Sequence, residues 1–175
     1  MPRTRALILV DIQNDYFTGG LWPVDQMERV AQAAAKVLDT ARQANDLVIH
    51  IRHEALSGAA PFFRPGTAGA DIHPSVAPTQ DEPIILKHRP NSFHKTDLQD
   101  HLQAAGVGVI TLVGAMTQMC IDATARAARD FGYDVTLVAD ACGAKAMTFG
   151  GTSLSADQVQ AAFLGSLAMS YGTVI

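Results

Sequence analysis

The chain has little of what would mark a secreted, membrane-bound or nucleic-acid-binding protein. Only two cysteines occur in 175 residues, Cys120 and Cys142, without a CxxC spacing, which offers neither a disulfide framework nor a structural zinc site. Free thiols of this kind persist in a reducing cytoplasm, the expected location. Basic residues are outnumbered, with 13 Lys and Arg against 17 Asp and Glu for a net charge of −4. No basic stripe forms, so nucleic acid is not an expected partner. Long hydrophobic runs are missing too. The opening Met-Pro-Arg-Thr-Arg is basic like a leader, but the apolar stretch at residues 6–10 ends at Asp11. That is too short for a signal core or a membrane span. Repeats, low-complexity tracts, interdomain linkers and a Gly-rich phosphate loop are absent as well.

What remains is a chain with 48% hydrophobic residues, long enough to bury one sizeable core and within the size of a single domain over residues 1–175. Apolar runs of strand length recur at residues 6–10, 47–51, 84–86, 109–113 and 135–138. They lack polar alternation, as strands covered on both faces do. Helix-like stretches alternate with them at residues 24–44, 96–105 and 121–131, the last followed by Gly132 as a C-cap. Ser155 and Gln158 form a capping-box pattern opening a final helix through Leu167, and Gly172 leads into a short terminal strand. The pattern predicts an α/β fold, a Rossmann-like parallel sheet flanked by helices. Residues 55–83, rich in Gly, Ala and Pro around Phe62 and Phe63, break the rhythm and are read as a loop lining or covering a pocket.

Open parallel sheets bind ligands beyond the carboxyl ends of their strands. Three reactive side chains fall at that edge: Asp11 after the first run, Lys87 after the third, and Cys120 after Gly114-Ala115-Met116-Thr117 at the start of a helix. Taken singly, each has a plainer reading: a core cysteine, a capping aspartate and a solvated lysine. Their joint placement carries the functional one. A helix N-terminus and a neighbouring ammonium both favour thiolate, so the Cys120 pKa is expected below that of a free cysteine. With a carboxylate to handle the proton, and backbone N–H groups of the turn to receive negative charge, the set contains the parts acyl transfer requires.

The segment Asp11-Ile12-Gln13-Asn14-Asp15-Tyr16-Phe17 resembles the DxQxDF opening of the isochorismatase-like cysteine hydrolases, the superfamily of nicotinamidases and N-carbamoylsarcosine amidohydrolases. Lys87 with Asn91-Ser92-Phe93 and Thr96-Asp97-Leu98 resembles a second motif of that family. Gly114 to Ile121 resembles its GxxTxxC(V/I) nucleophile turn, with Asp140-Ala141 after the next strand. The motifs follow in the family's order from residue 6 to residue 170.

The resemblance implies six parallel strands, one more than the apolar runs account for, and a triad of Asp11, Lys87 and Cys120. It also implies a cis peptide at Ala115–Met116 that aims the N–H groups of Met116 and Cys120 into an oxyanion hole. The implied activity is hydrolysis of an amide, ureido or carbamoyl C–N bond in a small molecule through a thioester, without a cofactor, in a homo-oligomer. Phe17, His53, Asn91 and Thr117 are the candidate substrate contacts. Phe17 can equally be core, and Asn91 can instead satisfy its own loop.

The family's metal-binding Asp-x-His after the second strand is replaced here by Arg52-His53-Glu54; no metal is expected, although His53 and Glu54 are metal-capable types. Isochorismatases that cleave a vinyl ether can lack the cysteine, so Cys120 points to the amidase side. Vinyl-ether hydrolysis and non-catalytic binding of a ligand or partner are the rival readings. Asp15 and Gln13 are expected to hold the opening turn, and His88, His94 and Cys142 are assigned no role.

Overall fold

A computed structural model describes residues 4–175; residues 1–3, the start of the opening segment weighed above against a leader, lie outside the described residues. In chain order the elements are β1 (Thr4–Val10), α1 (Met27–Gln43), β2 (Leu47–His53), β3 (Ile84–Lys87), α2 (Leu98–Ala104), β4 (Val107–Ala115), α3 (Asp122–Asp130), β5 (Asp134–Gly143), β6 (Met147–Phe149), β7 (Thr152–Leu154), α4 (Ala156–Ser170) and β8 (Thr173–Val174). Six strands form one sheet in the order β3-β2-β1-β4-β5-β8, every pair parallel. The Rossmann-like sheet with four flanking helices agrees with the sequence reading, and β8 is the strand the apolar runs did not reveal.

The continuous apolarity of β1 follows from its position at the middle of the sheet. Ala6, Ile8 and Val10 enter one core with residues of α2, α3 and α4. Leu7 and Leu9 enter a second core with α1 and the loop residues Phe63, Ala70 and Val76. With both faces covered, alternation has no use, and each fully buried Leu or Ile contributes roughly 1.5–3 kcal/mol. Helix α1 places Val30, Ala31, Ala34, Leu38 and Ala41 on its buried face. It starts later than its apolar pattern because Gln26 takes a left-handed conformation, φ 53°. The capping box at α4 is present, with Ser155 Oγ accepting the Gln158 N–H at 3.2 Å and Gln158 Oε1 accepting the Ser155 N–H at 2.9 Å. Such a cap is worth about 1 kcal/mol.

Chain order reverses between β1 and β4, so the crevice beyond their carboxyl ends is the topological switch point where ligands bind such sheets. Gly114 lets the two strands close there: at φ 127°, a Cβ on it would run into the Val10 carbonyl. One feature lies outside the sequence reading. The β6–β7 hairpin, turned at Gly150-Gly151 with φ 56° and 80°, is exposed at all six strand positions.

Candidate active site

Four side chains meet beyond adjacent strand ends: Asp11 follows β1, His53 ends β2, Lys87 ends β3, and Cys120 follows β4. Lys87 Nζ lies 2.7 Å from Asp11 Oδ2, with both side chains wholly buried. The ammonium also donates to the carbonyls of Arg89 at 3.1 Å and Pro90 at 3.3 Å. Cys120 sits in a π-helical turn, Thr117–Ile121, that opens into α3, and it is 3% exposed. The Ala115–Met116 peptide ahead of this turn is cis, at the position the resemblance implied.

His53 is the group sequence reasoning underrated. Its Nδ1 lies 3.3 Å from Lys87 Nζ, 3.7 Å from Asp11 Oδ2 and 4.0 Å from Cys120 Sγ. The β2–β3 register pairs His53 directly with Lys87. Its backbone is clamped by the buried Gln13, whose Nε2 donates to the His53 carbonyl and whose Oε1 accepts the His53 N–H, both at 2.8 Å. Gln13 is itself tied to the Ala70 carbonyl at 2.7 Å. Asp15, the other acidic residue of the opening motif, accepts the Phe63 N–H at 2.7 Å and the Leu21 N–H at 3.2 Å. That fixes loop residues 55–83 over the site. Phe63 packs against Tyr16 at 4.6 Å and beside the His53 ring at 5.8 Å. The loop thus contributes a buried aromatic ring beside His53.

Charge in this pocket is set by burial against pairing. Burial alone would raise the Asp11 carboxyl, but its surroundings, the Lys87 ammonium foremost, outweigh it and hold it below its ordinary value. Burial works against the Lys87 charge, and Asp11 and Cys120 reverse it, so Lys87 stays protonated. Cys120 departs from the sequence expectation. Burial, followed by the Asp11 charge, pushes its thiol well above the ordinary range, and Lys87 opposes this without overcoming it. Burial thus favours the thiol over the thiolate, because desolvation of a small anion exceeds what one shared ammonium returns.

The remaining candidates divide. Thr117 is buried in the nucleophile turn with Oγ1 lacking a hydrogen-bond partner among the described residues. Asn91 uses Oδ1 to accept the Phe93 N–H at 2.9 Å, the loop-holding alternative left open by the sequence. Phe17 belongs to the α1-side core and stacks on His73 at 3.7 Å. Asp11, His53 and Cys120 each offer a ligand atom, all within 4.8 Å of one another, so they are the residues able to hold a metal. The Lys87 ammonium already stands among them, and Glu54 instead pairs with Arg52 at 2.9 Å. Cys142 is buried, its thiol pushed up to about 12 by desolvation. His94 is exposed, and the exposed His88 meets the Glu54 carbonyl at 2.8 Å.

Comparison with known proteins shows the family. Residues 5–170 match the model of the isochorismatase domain family. An isochorismatase family protein of Bacillus subtilis is 42% identical over 171 residues, 98% of this chain and 95% of that protein. A streptothricin hydrolase of Streptomyces noursei is 35% identical over 137 residues, 78% of this chain and 49% of that enzyme. The crystal structure of an isochorismatase hydrolase from Oleispira antarctica superimposes with a TM-score of 0.96 at 45% identity, covering 99% of this chain and 94% of that one. No helix among the described residues is long and apolar enough to cross a membrane. The chain belongs to the isochorismatase family of hydrolases.

Proposed function

We propose that this chain is a cysteine-dependent hydrolase of an amide-type C–N bond (amide, ureido or carbamoyl) in a small molecule. One observation carries the reading: a buried thiol, a buried carboxylate and a buried ammonium converge at the switch point of the sheet, with Asp11 and Lys87 paired at 2.7 Å. Buried charge of this kind is costly and clusters where chemistry requires it. Cys120 is a neutral thiol at rest, so Asp11 takes its proton as sulfur attacks the carbonyl, and Lys87 steadies the charge left behind. The backbone N–H groups of Met116 and Cys120 are the oxyanion donors in this scheme. The C–N bond breaks, the nitrogen leaves with the thiol's proton, and water hydrolyses the thioester with Asp11 driving its deprotonation.

No cofactor enters the scheme. The 3% exposure of Cys120 favours a substrate of few atoms. Thr117 Oγ1, buried and unpartnered, is the group we assign to a substrate hydrogen bond. The family likeness extends to a relative named streptothricin hydrolase, which supports hydrolysis. Two free thiols favour a reducing cytoplasm. The exposed hairpin, with Phe149 84% exposed, favours association with a second copy, because a lone two-stranded hairpin is marginal in water. Ammonia release should be measured from a panel of primary amides, ureides and carbamates, with Cys120→Ala alongside. Cys120-dependent release supports the reading, and release that survives in Cys120→Ala contradicts it.

A further inference from the structure

Asp11 lies at the bottom of the site with no exposure, yet the departing nitrogen must leave toward the opening. His53 is the partly exposed member of the cluster, its side chain 17% accessible. The Lys87 ammonium can only donate, so across their 3.3 Å separation His53 Nδ1 is the acceptor. The imidazole is then neutral and carries its proton on Nε2. We propose that His53 is a fourth catalytic residue, completing a proton path from the Cys120 thiol through Asp11 and Lys87 to the leaving nitrogen. The proposal rests on the thiol chemistry assigned above.

The path is short and balanced. As the S–C bond forms, the thiol's proton passes to Asp11. Lys87 passes one of its protons to His53 Nδ1 across 3.3 Å, and the amine so freed takes the Asp11 proton across 2.7 Å. His53 releases its Nε2 proton to the nitrogen as the C–N bond breaks. Asp11 is again a carboxylate and Lys87 again an ammonium, but His53 has exchanged tautomers and Nε2 is now bare. A bare Nε2 is, in this path, the base that attack of water on the thioester needs. The same path, run backwards, returns a proton to the leaving sulfur. Three features of the chain hold the imidazole there: the double hydrogen bond from Gln13 to its backbone, the register pairing with Lys87, and the Phe63 ring pinned by Asp15. Two positions of the opening motif, Gln13 and Asp15, thus converge on one histidine.

The test compares wild type, His53→Gln and His53→Asn on a series of aryl acetates running from p-nitrophenyl acetate, whose leaving group needs no proton, to phenyl acetate and on to acetanilide. Thermal melts establish that each variant is folded. In the first, acylating turnover the variants should lose least on p-nitrophenyl acetate. They should lose about 10²-fold on the poor leaving groups, the contribution of one positioned general acid, so that their rates depend more steeply on leaving-group basicity. A loss equal across the series would reduce His53 to a packing residue and overturn the path. Absence of Cys120-dependent turnover of any ester by wild type would overturn the underlying thiol chemistry instead. The two failures are therefore distinguishable.

Discussion

Replacing Lys87 by Met retains the stem and volume of the side chain and removes the charge that faces Asp11. Both partners are fully buried and 2.7 Å apart, so the carboxylate loses its nearest counter-charge away from solvent. Breaking a buried pair from one side costs about 3–5 kcal/mol. For 175 residues the entropy of unfolding is about 0.37 kcal/mol per degree, which turns that cost into a fall in Tm of roughly 8–14 °C. Burial then acts on Asp11 without the main charge that opposed it, its carboxyl rises, and it no longer accepts the thiol's proton near neutrality. Turnover should drop by about 10²–10⁴-fold, the usual scale for losing a general base. The Asp11→Asn, Lys87→Met double variant removes both charges and should recover much of the stability without recovering activity. Urea unfolding of all four proteins completes the cycle. A coupling below about 0.5 kcal/mol, the level found between independent sites, would refute the reasoning.

Two further outcomes follow. Glu82 is held at about 2, first by Arg42 and also by the Thr79 N–H and His50, against its ordinary 4.5. A depressed carboxyl stabilises the fold above its unfolded value and loses that contribution as pH falls toward the folded one; wild type should therefore weaken between about pH 4.5 and 2, and Glu82→Gln should show a flatter acid limb in urea midpoints. Iodoacetamide labelling of Cys120, followed against pH by mass spectrometry, should be slow near neutrality and still rising at pH 9, because burial and then Asp11 keep the thiol protonated. A plateau below pH 7 would restore the thiolate expected from the sequence.

The legible parts of this molecule are those where local pattern and burial coincide. Strand β1 was readable because both of its faces enter cores, and α4 because its capping box is a short-range device. The two-residue β8 lacks enough apolar pattern to stand out, and its pairing with β5 is a tertiary fact. The β6–β7 hairpin did leave a signal: Gly150-Gly151 between two strand-length runs is a common two-residue turn. At the site, chain order at the sheet edge was enough to bring Asp11, Lys87 and Cys120 together. The place of His53 was not readable, since it depends on β2 lying beside β3 in a register that matches His53 with Lys87. The Cys120 pKa was misjudged for a related reason. Helix position and a nearby lysine can be read along the chain, whereas the desolvation that outweighs them comes from the whole fold.

The central claim is that Cys120 carries the acyl group. Wild-type protein should be mixed with p-nitrophenyl acetate or an amide that it turns over, quenched in acid within the first turnovers, and examined by intact mass and peptide mapping. The account predicts one added acyl group, on Cys120, that forms and decays at rates consistent with turnover and is missing from Cys120→Ala. Turnover without any acylated Cys120, undiminished in Cys120→Ala, would contradict it and favour hydrolysis by a route that does not need the thiol.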